Sequence, residues 1–115
     1  MVTTAGTSRI GHFDIAGPEL EPLRTFYTQV FGWGIDVRGP GYALVRTPES
    51  TVPGALVEAP SASLIVGIVV PSLDRALEAV VPNGGTVVMP KTDNGFVTKA
   101  QVADPAGNRI TLIQE

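Results

Sequence analysis

The chain contains no cysteine, which excludes disulfides, thiolate metal sites and a cysteine nucleophile together. It contains one histidine, His12, so any imidazole chemistry has to pass through that residue. No run approaches the roughly 18 apolar residues that a membrane span needs. The opening MVTTAGTSRIGHF lacks the basic and apolar regions of a signal peptide. A cytoplasmic protein without a membrane partner is expected. Lys and Arg number 8 against 11 Asp and Glu, a net charge of −3, which leaves no basic stripe for a phosphate backbone. Nucleic acid is therefore not an expected partner. Neither GWG nor NGGT has the spacing of a dinucleotide or phosphate loop, and no nucleophile elbow accompanies the lone histidine.

What is present is enough for one core. The 115 residues suit a single domain, and 43% hydrophobic against 17% charged residues is a globular rather than a disordered composition. Thirteen glycines and ten prolines imply many tight turns, as in a strand-rich chain.

The pattern then repeats. Leu23, Phe26, Tyr27, Val30 and Phe31 follow the i, i+3, i+4, i+7, i+8 spacing of an amphipathic helix, with Pro22 in its first turn and Gly32 at its end. Leu73, Ala76, Leu77, Val80 and Val81 give a second such stripe, with Ser72 as N-cap and Asn83-Gly84-Gly85 as the stop. A strand-like run precedes each helix, RIGHFDIA and SLIVGIVV. Three more follow the first helix (WGIDVR, YALVRT, GALVEA) and three the second (TVVM, FVTKAQVA, NRITLIQ). PKTDNG and DPAG separate the last three. The reading is α+β: two tandem βαβββ modules, about 10–59 and 63–115 of one domain, forming a cup-shaped mixed sheet with its helices outside. Exposed strand edges invite pairing within the chain or across a homodimer.

Alternation along a strand selects the residues facing the cup. With Phe13 and Ile15 toward the helix, His12 and Asp14 point into the cavity. An offset of 53 residues sets Ile65 opposite His12, Pro53-Gly54 on Ala106-Gly107, and Glu58 opposite Thr111. His12 and Glu58 begin a divalent metal site, whereas isoleucine does not coordinate and threonine does so poorly. Asp14, Gln101 or a chelating substrate would have to complete it. Asp14 and Gln101 can instead orient a polar substrate or face solvent. Trp33, Tyr42 and Phe96 are either stacking groups for a flat ligand or packing anchors. Glu58 is either inward, as a candidate base, or an exposed carboxylate at a strand end.

HFDIAGPELEPLRTFYTQVFGW, VPSLDRALEAVVPNGGTVVMPKT and DPAGNRITLIQ resemble the vicinal oxygen chelate superfamily, which includes glyoxalase I, extradiol dioxygenases and bleomycin-resistance proteins. The likeness runs over residues 10 to 115. It implies paired βαβββ modules, dimerisation, and metal ligands on the first and last strands of each module. Carried over, those places are His12, Glu58, Ile65 and Thr111, the last standing where metal-using members commonly have glutamate. Three functions follow. The first is a small-molecule binding protein that sequesters or carries an apolar or aromatic ligand without a cofactor. The second is a lyase or isomerase using His12 and Glu58, either as acid and base or through a weakly held zinc, nickel, manganese or iron ion. The third is a structural dimer.

Overall fold

The computed structural model describes residues 7–49 and 51–115. Strand β1 (Arg9–Gly17) leads into helix α1 (Leu20–Phe31), followed by β2 (Gly34–Gly39), β3 (Tyr42–Arg46) and β4 (Gly54–Glu58). The order then recurs as β5 (Ser63–Val70), α2 (Leu73–Val80), a 3-10 turn (Val81–Asn83), β6 (Thr86–Asp93), β7 (Thr98–Ala103) and β8 (Arg109–Gln114). The protein is α+β, with the two βαβββ modules read from the sequence.

Two compact units divide these elements. The first is His12–Ile65; among the described residues the second joins Val66–Glu115 to residues 7–11. The boundary thus falls inside β1 and β5 rather than in the 59–62 connection. Gly11 explains part of this: a Cβ there would lie 2.6 Å from Val69 Cγ2, so glycine lets the start of β1 close against β5.

In the first unit β1 pairs in parallel with β4, and β3 is antiparallel to both β4 and β2. Register fixes the faces. Ile15 pairs with Leu56, which pairs with Ala43, and these bury with Leu20 and Val45 beneath α1. Leu23, Tyr27 and Trp33 close the margin. The buried stripe of α1 is narrower than expected, because Phe26, Val30 and Phe31 are more than half exposed. The helix also begins earlier than Leu23. Gly32 ends it at φ 71°, donating its N–H to the Thr28 carbonyl at 2.9 Å.

The second unit repeats the scheme: β5 parallel to β8, and β7 antiparallel to β8 and β6. Ile68, Leu112 and Ala100 occupy the places of Ile15, Leu56 and Ala43, with Val70, Leu73 and Val102 buried beside them. Ser72 Oγ accepts the Arg75 N–H at 3.2 Å, capping α2 as expected. Strand β6 runs through Pro90 into PKTD, which the sequence reading assigned to a connection. Pro90 is tolerated because β6 pairs on one side only and its register shifts between Met89 and Thr92. Truncating a fully buried core residue such as Leu56 or Leu73 costs about 2–5 kcal/mol.

The pleats also exchange volume between the repeats. Phe13 lies over its partner Gly54, where a Cβ would come within 2.4 Å of the ring. In the second unit the corresponding pair is Val66 and Ile110, two medium side chains in place of a large one and none.

Candidate functional site

The same pairing corrects the sequence alignment of the modules. The first strands correspond as expected, but Leu56 answers to Leu112, so the counterpart of Glu58 is Gln114 and that of Thr111 is Ala55. The physical reason is the longer β6 and its longer hairpin, which displace everything after them in the second repeat.

Glu58 accordingly lies on the helix side. It pairs with Gly17, and its Oε2 accepts the N–H of Leu20, the first residue of α1, at 2.9 Å. That carboxylate caps a helix whose own N-cap residue, Glu19, makes no side-chain bond. Gln114 does the same for α2: Oε1 accepts the Leu73 N–H at 2.8 Å while Nε2 donates to the Pro71 carbonyl at 2.9 Å. Glu58 does not share a face with His12, and the expected pair of metal donors does not form.

On the side of the first unit away from α1, Asp14 neighbours Ala55, which neighbours Leu44, which neighbours Asp36. His12 Nε2 stands 3.1 Å from Asp14 Oδ1, both side chains about one third exposed. Tyr42 belongs to this side, paired with Val57, and Asp36 is held by Arg38 at 3.0 Å. Ile65 is half-buried and lies on the opposite side of β5 from Ile68, as expected of His12's counterpart. Trp33 is elsewhere. Its indole stacks on Tyr27 at 5.5 Å and 9° and meets Phe13 at 5.8 Å, packed against the core of the first unit.

On the side of the second unit away from α2, Gly67, Thr111, Gln101 and Met89 lie abreast on four neighbouring strands. Thr111 and Gln101 are both half-buried, and neither side chain has a hydrogen-bond partner among the described residues. Lys99, two residues from Gln101 and on the same side, is also half-buried and without an ion pair there. The sequence reading missed Lys99, although alternation along β7 puts it on the same side as Gln101. Phe96 is apart, at the β6–β7 tip and 94% exposed. The Asn94 side chain holds that turn, accepting the Phe96 and Val97 N–H groups at 2.9 Å. The following turn is fixed by Asp104, which accepts from Ala106 N, Asn108 N and Asn108 Nδ2, each at 2.9 Å. The Asn108 side chain, first among these bonds, lowers the Asp104 pKa below the ordinary carboxylate value.

The donor set does not fit a resident metal ion. Among the described residues no three His, Asp or Glu side chains gather. The positions on the first and last strands offer one imidazole, one hydroxyl and two aliphatic groups, against the three protein ligands usual at catalytic zinc.

Residues 9–112 match the model of the glyoxalase/bleomycin resistance protein/dioxygenase superfamily. Among curated proteins, the provisionally named glyoxylase CFP32 of Mycobacterium tuberculosis is 28% identical over 113 residues, 88% of this chain and 43% of the relative. The chain thus spans less than half the length of the curated relatives it matches. Among solved structures, methylmalonyl-CoA epimerase from Mycobacterium tuberculosis superposes with TM-score 0.69 at 17% identity, over 99% of this chain and 91% of that one. Homoprotocatechuate 2,3-dioxygenase from Brevibacterium fuscum, in complex with 3,4-dihydroxyphenylacetate, gives TM-score 0.75 at 21% identity, over 93% and 36%. A superfamily member from Vibrio splendidus gives 0.71 at 13% identity, over 95% and 100%. At these identities the structural likeness is one of fold.

Proposed function

Because the chain belongs to the glyoxalase/bleomycin resistance protein/dioxygenase superfamily, we propose that it binds a small molecule with a largely apolar or aromatic body, to sequester or carry it. The observation that carries this reading is the unpartnered pair Gln101 and Thr111. Their polar atoms are not sealed in the interior, and two adjacent side chains without a protein partner among the described residues are open to a ligand that brings its own donors and acceptors. Met89, Val69 and Ile113 supply apolar surface beside them. A homodimer, in which a second copy covers exposed edges, accords with this reading.

A second reading is supported by the His12–Asp14 contact. A carboxylate 3.1 Å from the imidazole orients the ring, the arrangement of an acid–base pair. Such a pair would serve a metal-free isomerase or lyase, with His12 taking a proton from carbon or oxygen and returning it.

A thermal-shift screen of metals, aromatic metabolites, carboxylic acids and glycopeptide antibiotics tests the first reading. A ligand specific to the folded state at a hundred times its Kd stabilises by about 2.7 kcal/mol. Binding without turnover supports sequestration; turnover abolished by both His12→Ala and Asp14→Asn supports the second reading; no shift with any compound contradicts both.

A further inference from the structure

We infer that the second unit holds a carboxylate, contributed by its ligand, with Lys99 as the counter-charge and Gln101 and Thr111 as neutral donors. The inference deepens the small-molecule reading and rests on it.

The argument begins with the cations. Of eight Lys and Arg residues, Arg24, Arg38 and Lys91 are paired, with Glu21, Asp36 and Asp74. Among the described residues the others make no ion pair, and three of them lie on one side of the second unit. Lys99 sits two residues from Gln101 on β7. Arg109 sits two residues from Thr111 on β8, paired with Ala103 on that same side. Arg9 reaches it from β1: its Nη1 is 3.0 Å from the point a Gly11 Cβ would occupy, and that point is 2.6 Å from Val69 Cγ2. Val69 pairs with Ile113, and Ile113 with Lys99, so the row is continuous.

Among the described residues no carboxylate is ion-paired with them, and the one that alternation brings to this side is Glu115, two residues past Ile113. The β6 residues facing Gln101 and Lys99 are Met89 and Thr92, and Glu115, one residue past β8, forms no ion pair with Lys99 or Arg109. In a chain of net charge −3, Arg9, Lys99 and Arg109 outnumber the Glu115 carboxylate on this side. An ammonium without a counter-ion on the protein is open to an arriving anion, which gains a charge-assisted hydrogen bond.

The donor pattern selects the anion. One ammonium, one amide NH2 and one hydroxyl match the two oxygens of a carboxylate. Val69, Ile113 and Met89 then face the apolar body to which the carboxylate is attached.

The test is calorimetric titration with two matched pairs, benzoate against benzamide and hexanoate against hexanamide. The wild-type chain is compared with Lys99→Met, Thr111→Val and, as a charge control on α1, Arg24→Met. The expected result is that each acid binds about tenfold tighter than its amide. Lys99→Met should abolish that preference while leaving amide affinity unchanged, Thr111→Val should reduce it severalfold, and Arg24→Met should leave it intact. Should Lys99→Met not fold, Lys99→Gln gives the same comparison. Equal binding of acid and amide overturns the carboxylate while leaving the small-molecule reading in place. An acid preference that survives the Lys99 variants overturns the assigned residue. Failure of all four probes overturns the inference, and the small-molecule reading then stands or falls on the wider screen.

Discussion

The Glu58 carboxylate accepts the backbone N–H of Leu20 at 2.9 Å, tying the end of β4 to the start of α1 across 38 positions of chain. This contact decides how the molecule is read. A side chain that caps a helix on one face of a sheet is not available to an imidazole on the other.

Removing that cap should therefore cost stability and not ligand binding. Glu58→Ala is expected to destabilise by about 1 kcal/mol, and Glu58→Gln by less because its amide oxygen still accepts. Gln114→Ala should cost at least as much, since it strands both Leu73 N–H and the Pro71 carbonyl. Urea melts of the three variants, with affinity for any ligand from the screen, check this.

Gly54→Ala is expected to destabilise by about 1–3 kcal/mol, because the added methyl enters the Phe13 ring and that ring is itself packed on Trp33. The double variant Gly54→Ala, Phe13→Val should recover part of the loss, since it approaches the Val66–Ile110 solution of the second unit. Denaturation midpoints of the single and double variants measure the recovery.

Asp104 gives a pH dependence with a definite sign. Its folded-state pKa is depressed, so its contribution is complete above the ordinary carboxylate value near 3.8 and is lost as pH falls below it through the folded pKa. The stability difference between wild type and Asp104→Ala should be constant at neutral pH and shrink on acidification below about 4. Melts in a pH series test it.

His12→Ala should change stability by no more than about 0.5 kcal/mol, because the ring is partly exposed and its one polar contact among the described residues is to Asp14. Protein purified without a histidine tag should hold substoichiometric divalent metal before and after the substitution. Elemental analysis checks this, and stoichiometric metal lost with His12 would contradict the donor argument.

Much of the fold was legible because local signals agreed. Apolar stripes, Ser72, Gly32 and the turn residues pointed to the same elements, and every strand was found within a few residues. The site was less legible for a specific reason. Within a strand, alternation sent His12 and Asp14 to one side, and the pairing of β1 keeps them together. Between strands, the modules were aligned by a constant offset, and sequence carries no direct record of how many residues a hairpin inserts. The longer β6 moved Thr111 out of register with Glu58 and put Gln114 in its place, three residues beyond Thr111. Trp33 was ambiguous for another reason: an aromatic beside glycine suits a rim or a core equally, and its packing shows only in its stacking on Tyr27.

The face assignment of β7 and β8 underlies the ligand reading, and a chain without cysteine allows it to be tested directly. Thr111→Cys and Ala100→Cys each introduce one thiol, at positions assigned to opposite sides of the second unit. Labelling rates with methyl methanethiosulfonate under native conditions should differ by at least about tenfold, Thr111→Cys being the faster because an exposed thiol reacts and a buried one is inert. Equal rates, or a faster Ala100→Cys, would contradict the account.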